Sequence, residues 1–342
     1  MLQIHRPALA AVLLAVFVSS ASGLDQIKTS KANMAGTIEV MGKFEVKFKR
    51  IGDKVESIPV NDIESIRFDS EPIKLNLIRG AVQGGRYDDA IKDLNEMANQ
   101  SIEREATRQD IQYFKALAMA RQALAGGGDL TAAETAMSAF IKANPENYHY
   151  IDASELAGDL LVANNKHALA QQYYGYLEQA PWPDVKMRGG VAKGRALLAE
   201  KKYPEALTAY DGVLTLAEGG KGDAVELQKQ AAAIGKAACL AETGKHVEGI
   251  ALLEDVINKA DAERADLHAA AYNALGKCQR KAGNAKAALL AYLHTDVLYN
   301  TIPAAHAEAL ANLVELWKEV GNNDRSAQAE VVLNERYKGA KK

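Results

Sequence analysis

From residue 73 onward the chain repeats one phrase, and an internal repeat constrains a fold more tightly than any single element does. A first helix carrying small and apolar residues ends in a short glycine or polar turn. An aromatic or small residue follows, and after two more positions an alanine opens a second apolar helix. The phrase reads Gly85-Arg86-Tyr87-Asp88-Asp89-Ala90 and then Gly128-Asp129-Leu130-Thr131-Ala132-Ala133. It returns at residues 165–170, 201–206, 244–249 and 283–288, with a degenerate seventh copy from Ala305 through Trp317 and Gly321 to Leu333. Its anchors Ala90, Ala133, Ala170, Ala206, Gly249 and Ala288 are separated by 43, 37, 36, 43 and 39 residues. Each helix pair leaves one face unburied until a neighbour stacks on it, so such a chain folds as an array.

This pattern resembles the tetratricopeptide repeat family, whose unit is about 34 residues, over residues 73–338, roughly three quarters of the chain. Gly158, Gly194, Gly276 and the alanine anchors would let paired helices approach, with Tyr203, Tyr210 and Tyr292 filling the wider gaps. The resemblance implies a mostly α fold, a tetratricopeptide-like α–α superhelix of about seven helix pairs, with binding on its concave face. The spacing exceeds the family's unit throughout, the closing proline is clear only at Pro145, and the early-helix tryptophan is missing. Longer helices or linkers are therefore expected, and a bundle with irregular pairing is the structural alternative.

Residues 24–70 have a different period. Thr37-Ile38-Glu39-Val40-Met41 and Phe44-Glu45-Val46-Lys47-Phe48 alternate apolar with polar side chains, as half-buried strands do. With residues 24–29, 55–60 and 63–68 they make a small antiparallel β unit, a meander of four or five strands. Ile38, Val40, Phe44, Val46, Ile63 and Phe68 are its expected core, docked on the first helix pair near Leu75, Ile78 and Leu94. Ahead of it, His5-Arg6, an uncharged apolar run at 8–18 and Ser19-Ser20-Ala21-Ser22-Gly23 follow the order of a cleavable signal peptide over residues 1–23. Periplasmic or secreted protein is expected, an uncleaved anchor being the alternative, and no later stretch is apolar enough to span a bilayer. The β segment, Gly36-Thr37-Ile38 and the 58–68 stretch especially, resembles exported bacterial proteins that place a small β unit ahead of tetratricopeptide repeats.

Charge and motif content narrow the function. The 41 basic and 44 acidic residues leave a net charge of −3 with no basic cluster, which argues against nucleic acid as a partner. The seven histidines show no metal-site spacing, and the glycine clusters match no phosphate-binding loop. No GxSxG or zinc-type cysteine set is present. Neither an enzymatic role, a metal nor a cofactor is expected. His149, in the run Tyr148-His149-Tyr150, either joins an aromatic ligand patch or packs a turn. Cys239 and Cys278 fall on successive first helices, about 8–10 Å apart, beyond the roughly 7 Å reach of a disulfide, so two small buried thiols are expected.

A concave surface built from first helices would carry Asp152, Glu155 and Asp159, then Arg188 and Arg195, then Asn273, Lys277, Arg280 and Lys281. The basic residues suit an acidic peptide or a carboxylate, although the lysine–asparagine spacing of the chaperone-tail-binding family members is absent. An exported, non-catalytic scaffold holding a protein or peptide partner along this groove is the expected function. An exported hydrolase with a dispersed carboxylate site and a self-assembling structural subunit are the alternatives.

Overall fold

The computed structural model describes residues 23–50, 52 and 54–337. The signal-peptide expectation, apart from Gly23, lies outside the described residues. Five strands, β1 (Asp25–Thr29), β2 (Asn33–Met41), β3 (Glu45–Arg50), β4 (Val55–Pro59) and β5 (Ile63–Arg67), form one antiparallel sheet in the order β4-β3-β2-β1-β5. The first four strands are a meander. A single 3-10 turn at Val60–Asp62 then sends β5 across to the far side of β1, so both β4 and β5 are edge strands.

Alternation sets the sheet's inner face: Val46 and Phe48 of β3 are fully buried, with Ile27, Ile58, Ile66 and Phe68 beside them. Val40 does not join this core and is 52% exposed. The β2–β3 register shifts between Ile38, opposite Phe48, and Val40, opposite Lys47. The extra residue is a β-bulge, and a one-residue slip turns every later side chain to the other face.

Among the described residues fourteen helices follow, in seven pairs: α1 (Ile73–Gln83) with α2 (Tyr87–Ala98), α3 (Glu105–Leu124) with α4 (Leu130–Ala143), α5 (Tyr150–Ala163) with α6 (His167–Leu177), α7 (Pro183–Ala199) with α8 (Tyr203–Glu218), α9 (Asp223–Glu242) with α10 (His246–Lys259), α11 (Ala265–Lys281) with α12 (Ala285–Leu298), and α13 (Pro303–Glu319) with α14 (Asn323–Arg336). No strand interrupts them among the described residues. Most pairs turn the same way: one residue takes a left-handed φ, and the next amide bonds back five residues, as Arg86 N does to Ala81 O and Lys245 N to Leu240 O. This closes the helix C-terminus. Glycine fills the left-handed position at Gly85, Gly244, Gly283 and Gly321, while Asn165 and Lys201 adopt it at φ 57° and 60°.

The recurring tyrosine and glycine interlock. A Cβ on Gly194 would stand 2.5 Å from the Tyr210 ring and one on Gly235 2.2 Å from it, so this ring lies between the glycines of two successive first helices. The odd-numbered helices also pack on one another from α1 to α13, whereas the even-numbered ones pack chiefly on their sequence neighbours. The odd helices therefore form the stack's inner wall.

The sheet docks elsewhere than expected. Leu75, Ile78 and Leu94 are buried in the helical core of α1–α5, not under the strands. The sheet core closes instead over Ala106 at the start of α3 and Tyr148 just before α5, and Phe44 meets the Trp182 ring at the start of α7 edge-on, 6.1 Å between centroids. The β unit thus lies along the N-terminal ends of α3, α5 and α7. Ile73 and Leu77 on α1 stay 77% and 68% exposed.

Candidate functional site

The anticipated groove residues fall into two groups on the inner wall, and nearly all carry a partner. In the first group Arg188 of α7 reaches back to α5, donating to Asp152 Oδ1 at 2.9 Å, with its Nε 2.8 Å from Glu155 Oε2 but not aligned for a hydrogen bond. Arg195 lies 3.8 Å from Asp159. Burial pushes the Glu155 carboxyl above its usual range, against the pull of Arg188. In the second group Lys277 and Lys281 of α11 both reach Glu242 of α9 at 2.9 Å, and Arg280 pairs with Glu319 of α13. Glu242 is partly desolvated, yet the two lysines hold its carboxyl below the usual range.

Asn273 is not part of the exposed wall. It is 2% exposed, and its amide donates to Ala305 O at 2.8 Å and Glu308 Oε2 at 3.1 Å. It is consumed in tying α11 to α13. The remaining three, Lys277, Arg280 and Lys281, line one cleft of about 430 Å³ together with Tyr292, Glu308 and Asn312.

A second constellation went unrecognised in the sequence and lies where sheet and helices meet. Arg79 of α1, 7% exposed, makes a two-pronged bond to Glu71 at 2.6 and 2.9 Å, and its Nη2 also donates to Asp110 of α3 at 2.6 Å. Asp110, fully buried, accepts from the Tyr148 hydroxyl at 2.8 Å and sits 3.0 Å from His149 Nε2. Burial alone would raise the Asp110 carboxyl, but His149 and Arg79 together hold it below the usual carboxylate range. Burial and the Asp110 charge drive the Tyr148 hydroxyl well above its ordinary value, so it stays protonated as a donor.

Nearby, Asp25 of β1, 1% exposed, accepts two bonds from Arg104 at 2.6 and 2.8 Å and two from the backbone of Ile38 and Asp69. Arg104 also lies over the Phe68 ring, 5.1 Å from its centroid. His149, offered by sequence as either patch or turn packing, stacks on Tyr113 at 3.6 Å inside this junction. The available signal was placement. Arg79 falls in the apolar stripe Leu75, Ile78, Val82, and Asp110 in the stripe Thr107, Ile111, Phe114.

Above these groups a cavity of about 200 Å³ opens between β5, α1, α3 and the start of α5. Among the described residues no cluster of histidine, cysteine and carboxylate side chains could hold a metal ion. Nor is any described helix long and apolar enough to cross a membrane.

Stacked pairs with a tyrosine–glycine interlock and a wall of odd helices define a tetratricopeptide-like helical-repeat fold. No protein-family model and no curated protein matches the chain. Solved structures share the fold at low identity. A tetratricopeptide repeat protein from Parabacteroides merdae ATCC 43184 aligns with a TM-score of 0.59 at 14% identity, covering 78% of this chain and 93% of that one. A Rap protein complexed with competence and sporulation factor gives a TM-score of 0.55 at 15% identity, with 77% and 75% covered. The apo quorum sensor NprR from B. thuringiensis gives 0.50 at 13%, with 78% and 76% covered.

Proposed function

We propose that the protein is a non-catalytic scaffold that holds a protein or peptide partner along the inner wall of its helix stack. The observation that carries this is the cleft shared by Lys277, Arg280, Lys281, Tyr292, Glu308 and Asn312. Arg280 is held by Glu319 in a solvent-accessible pair, which contributes only about 0–1 kcal/mol, while Lys277 and Lys281 share the one carboxylate of the partly buried Glu242. A partner carboxylate presented with good geometry exchanges for Glu319 at Arg280 at little cost. The similar Rap fold, solved with competence and sporulation factor, supports a ligand-holding role for such a fold.

The test is crosslinking of the protein in its own compartment from a photoreactive residue at Asn312. Capture of a defined partner, abolished by Arg280→Glu with Lys281→Glu, is the expected outcome. Capture that persists in that variant, or that maps to the even-numbered helices, would sink the proposal. Export belongs to the same proposal and rests on the basic–apolar–small order of residues 1–23. Mature protein beginning near Leu24 and recovered outside the cytoplasm is expected, and an intact Met1 on cytosolic protein would defeat it.

A second reading, end-to-end self-association, is favoured by one observation. α1 exposes Ile73 and Leu77, and a cleft of about 590 Å³ lined by three alanines, Val314 and Leu333 together with four charged side chains opens at the other end. Sedimentation showing concentration-dependent growth, lost in Leu77→Glu, would promote it; a monomer at all concentrations would remove it.

A further inference from the structure

We propose that the outer edge of β5 and the inner wall facing it form a second peptide site. It takes an extended segment of a partner protein by strand addition, with one large apolar side chain seated in the junction cavity and an acidic residue beside it. This rests on the peptide-holding function above and assigns it a second, separate surface.

β5 pairs with β1 on one side only, and among the described residues no hydrogen bond from the helices closes its other side. Ile63, Glu64, Ser65 and Ile66 all border the junction cavity. Thr29 pairs with Ile63 and Lys28 with Ser65, which leaves Glu64 as a bulge in β5, so the cavity meets the strand along a bulged edge. An edge of unpaired amide and carbonyl groups is the element that recruits an extended chain.

The opposite wall supplies the pocket. Phe114 and Leu117 of α3 and the stacked Tyr113–His149 rings give it an apolar and aromatic surface. At about 200 Å³ it is smaller than the roughly 300–1,000 Å³ of small-molecule sites, and suits a single side chain. The charges around it are balanced except at one point. Glu64 is held by Lys28 at 2.7 Å, Asp152 by Arg188 at 2.9 Å, and Arg79 by Glu71 and Asp110. Arg121, exposed on the rim, has no ion-pair partner among the described residues. One uncompensated guanidinium selects a carboxylate.

The buried charges explain how such a site keeps its shape. A buried ion pair contributes little net stability against an apolar substitute, but it fixes geometry. Here Glu71–Arg79–Asp110 and Asp25–Arg104 set the sheet against α1 and α3, and so set the gap between the β5 edge and its wall. Asp152 borders the cavity and pairs with Arg188 of the groove. The cavity therefore adjoins the Arg188 group of the inner wall, while the cleft at Lys277, Arg280 and Lys281 shares no lining residue with it.

The experiment pans a library of random dodecapeptides against the full chain and measures selected peptides by fluorescence anisotropy. Enriched sequences are expected to share an aromatic or large aliphatic residue with an acidic residue within two positions. Methylating alternate backbone nitrogens on the strand-pairing side should weaken binding about tenfold or more, since lost hydrogen bonds to a charged or buried partner reach that size. Methylating the other set should not. Arg121→Glu and Phe114→Ala, both with unchanged circular dichroism, should weaken binding to a similar extent. Selected peptides indifferent to backbone methylation and to both variants overturn the proposal, as does a library with no enriched sequence. Peptides that respond to Arg280→Glu but not Arg121→Glu overturn this site and leave the groove standing; the reverse response leaves this site and counts against the groove.

Discussion

The two ends of the helix stack are finished by opposite means. At the N-terminal end, buried ions and aromatic rings weld a sheet to the starts of α3, α5 and α7. At the C-terminal end, α13 and α14 close on Leu310, Leu313, Leu316 and Leu333 with Trp317 half-covered, and their outer side is an open cleft floored by alanines. Terminal repeats need a finished outer face for solubility. The sheet does not supply one, because it lies beside the first pair and leaves Ile73 and Leu77 exposed. The difference shows that the β unit is built for position more than for covering. Directional charged contacts fix its place on the stack, whereas the far end relies on non-directional apolar packing.

The sheet junction holds Trp182 and the far end holds Trp317, so each can be followed separately. Trp317→Phe leaves Trp182 to report the sheet end, and Trp182→Phe leaves Trp317 to report the other. The largest effect is expected from Arg79→Ala or Asp110→Ala, because removing one partner strands a buried charge at about 3–5 kcal/mol. Urea unfolding followed at Trp182 should move far more than at Trp317. Equal shifts at both would mean the stack unfolds as one unit, and the contrast would collapse.

Acid comes next. The Asp110 carboxyl is depressed in the folded protein, so its stabilisation is complete above the unfolded value of about 3.9 and is lost as pH falls through the folded one. Below about pH 4 the Trp182 transition should weaken ahead of the Trp317 transition, and Asp110→Asn should flatten that acid response. An unchanged acid profile in Asp110→Asn would remove this carboxylate from the account.

At the C-terminal end Leu333→Ala should cost about 2 kcal/mol, the low end for a core leucine, because its side chain already borders the cleft. A loss matching that of Arg79→Ala would show that this end is as tightly specified as the other. The smallest effect belongs to Asn322→Ala. The Asn322 side chain caps α14 by accepting from the Arg325 amide at 3.2 Å, and losing such a cap costs about 1 kcal/mol. It should appear at Trp317 and be absent at Trp182.

The helix pairs were legible because their packing is written locally. Tyr210 and Gly194 belong to a phrase that recurs within a few dozen residues, and Gly235 joins them only in the structure. The turn residues at 85, 244, 283 and 321 announce themselves as glycine. The sheet was legible as strands but not as a topology. β5 reads as a short strand, its two isoleucines set either side of the bulged Glu64, and nothing local tells it to cross to β1. The bulge that turns Val40 outward has no marker in Glu39. The junction was hidden for a different reason. Arg79 and Asp110 lie 31 residues apart, and each passes for a surface charge on an amphipathic helix until its apolar neighbours are set beside it. The groove was half-legible: the sequence placed the cations on the inner wall but gave no sign that Glu242 and Glu319 would occupy them, or that Asn273 would be buried.

Cys239 and Cys278 are unpaired and fully buried, and burial pushes each thiol up to about 11. Thiolate is the reactive form, so in the closed stack both are shielded twice, by access and by protonation. Cys278 further donates from Sγ to Ala237 O at 3.6 Å, across the contact between α11 and α9. An alkylating reagent in solution therefore meets either sulfur chiefly when those helices part. The pace of labelling at Cys278 becomes a clock for momentary separation of α9 from α11, inside a core cluster that holds neither tryptophan. The same shielding would let the chain pass through an oxidising compartment without cross-linking to its neighbours.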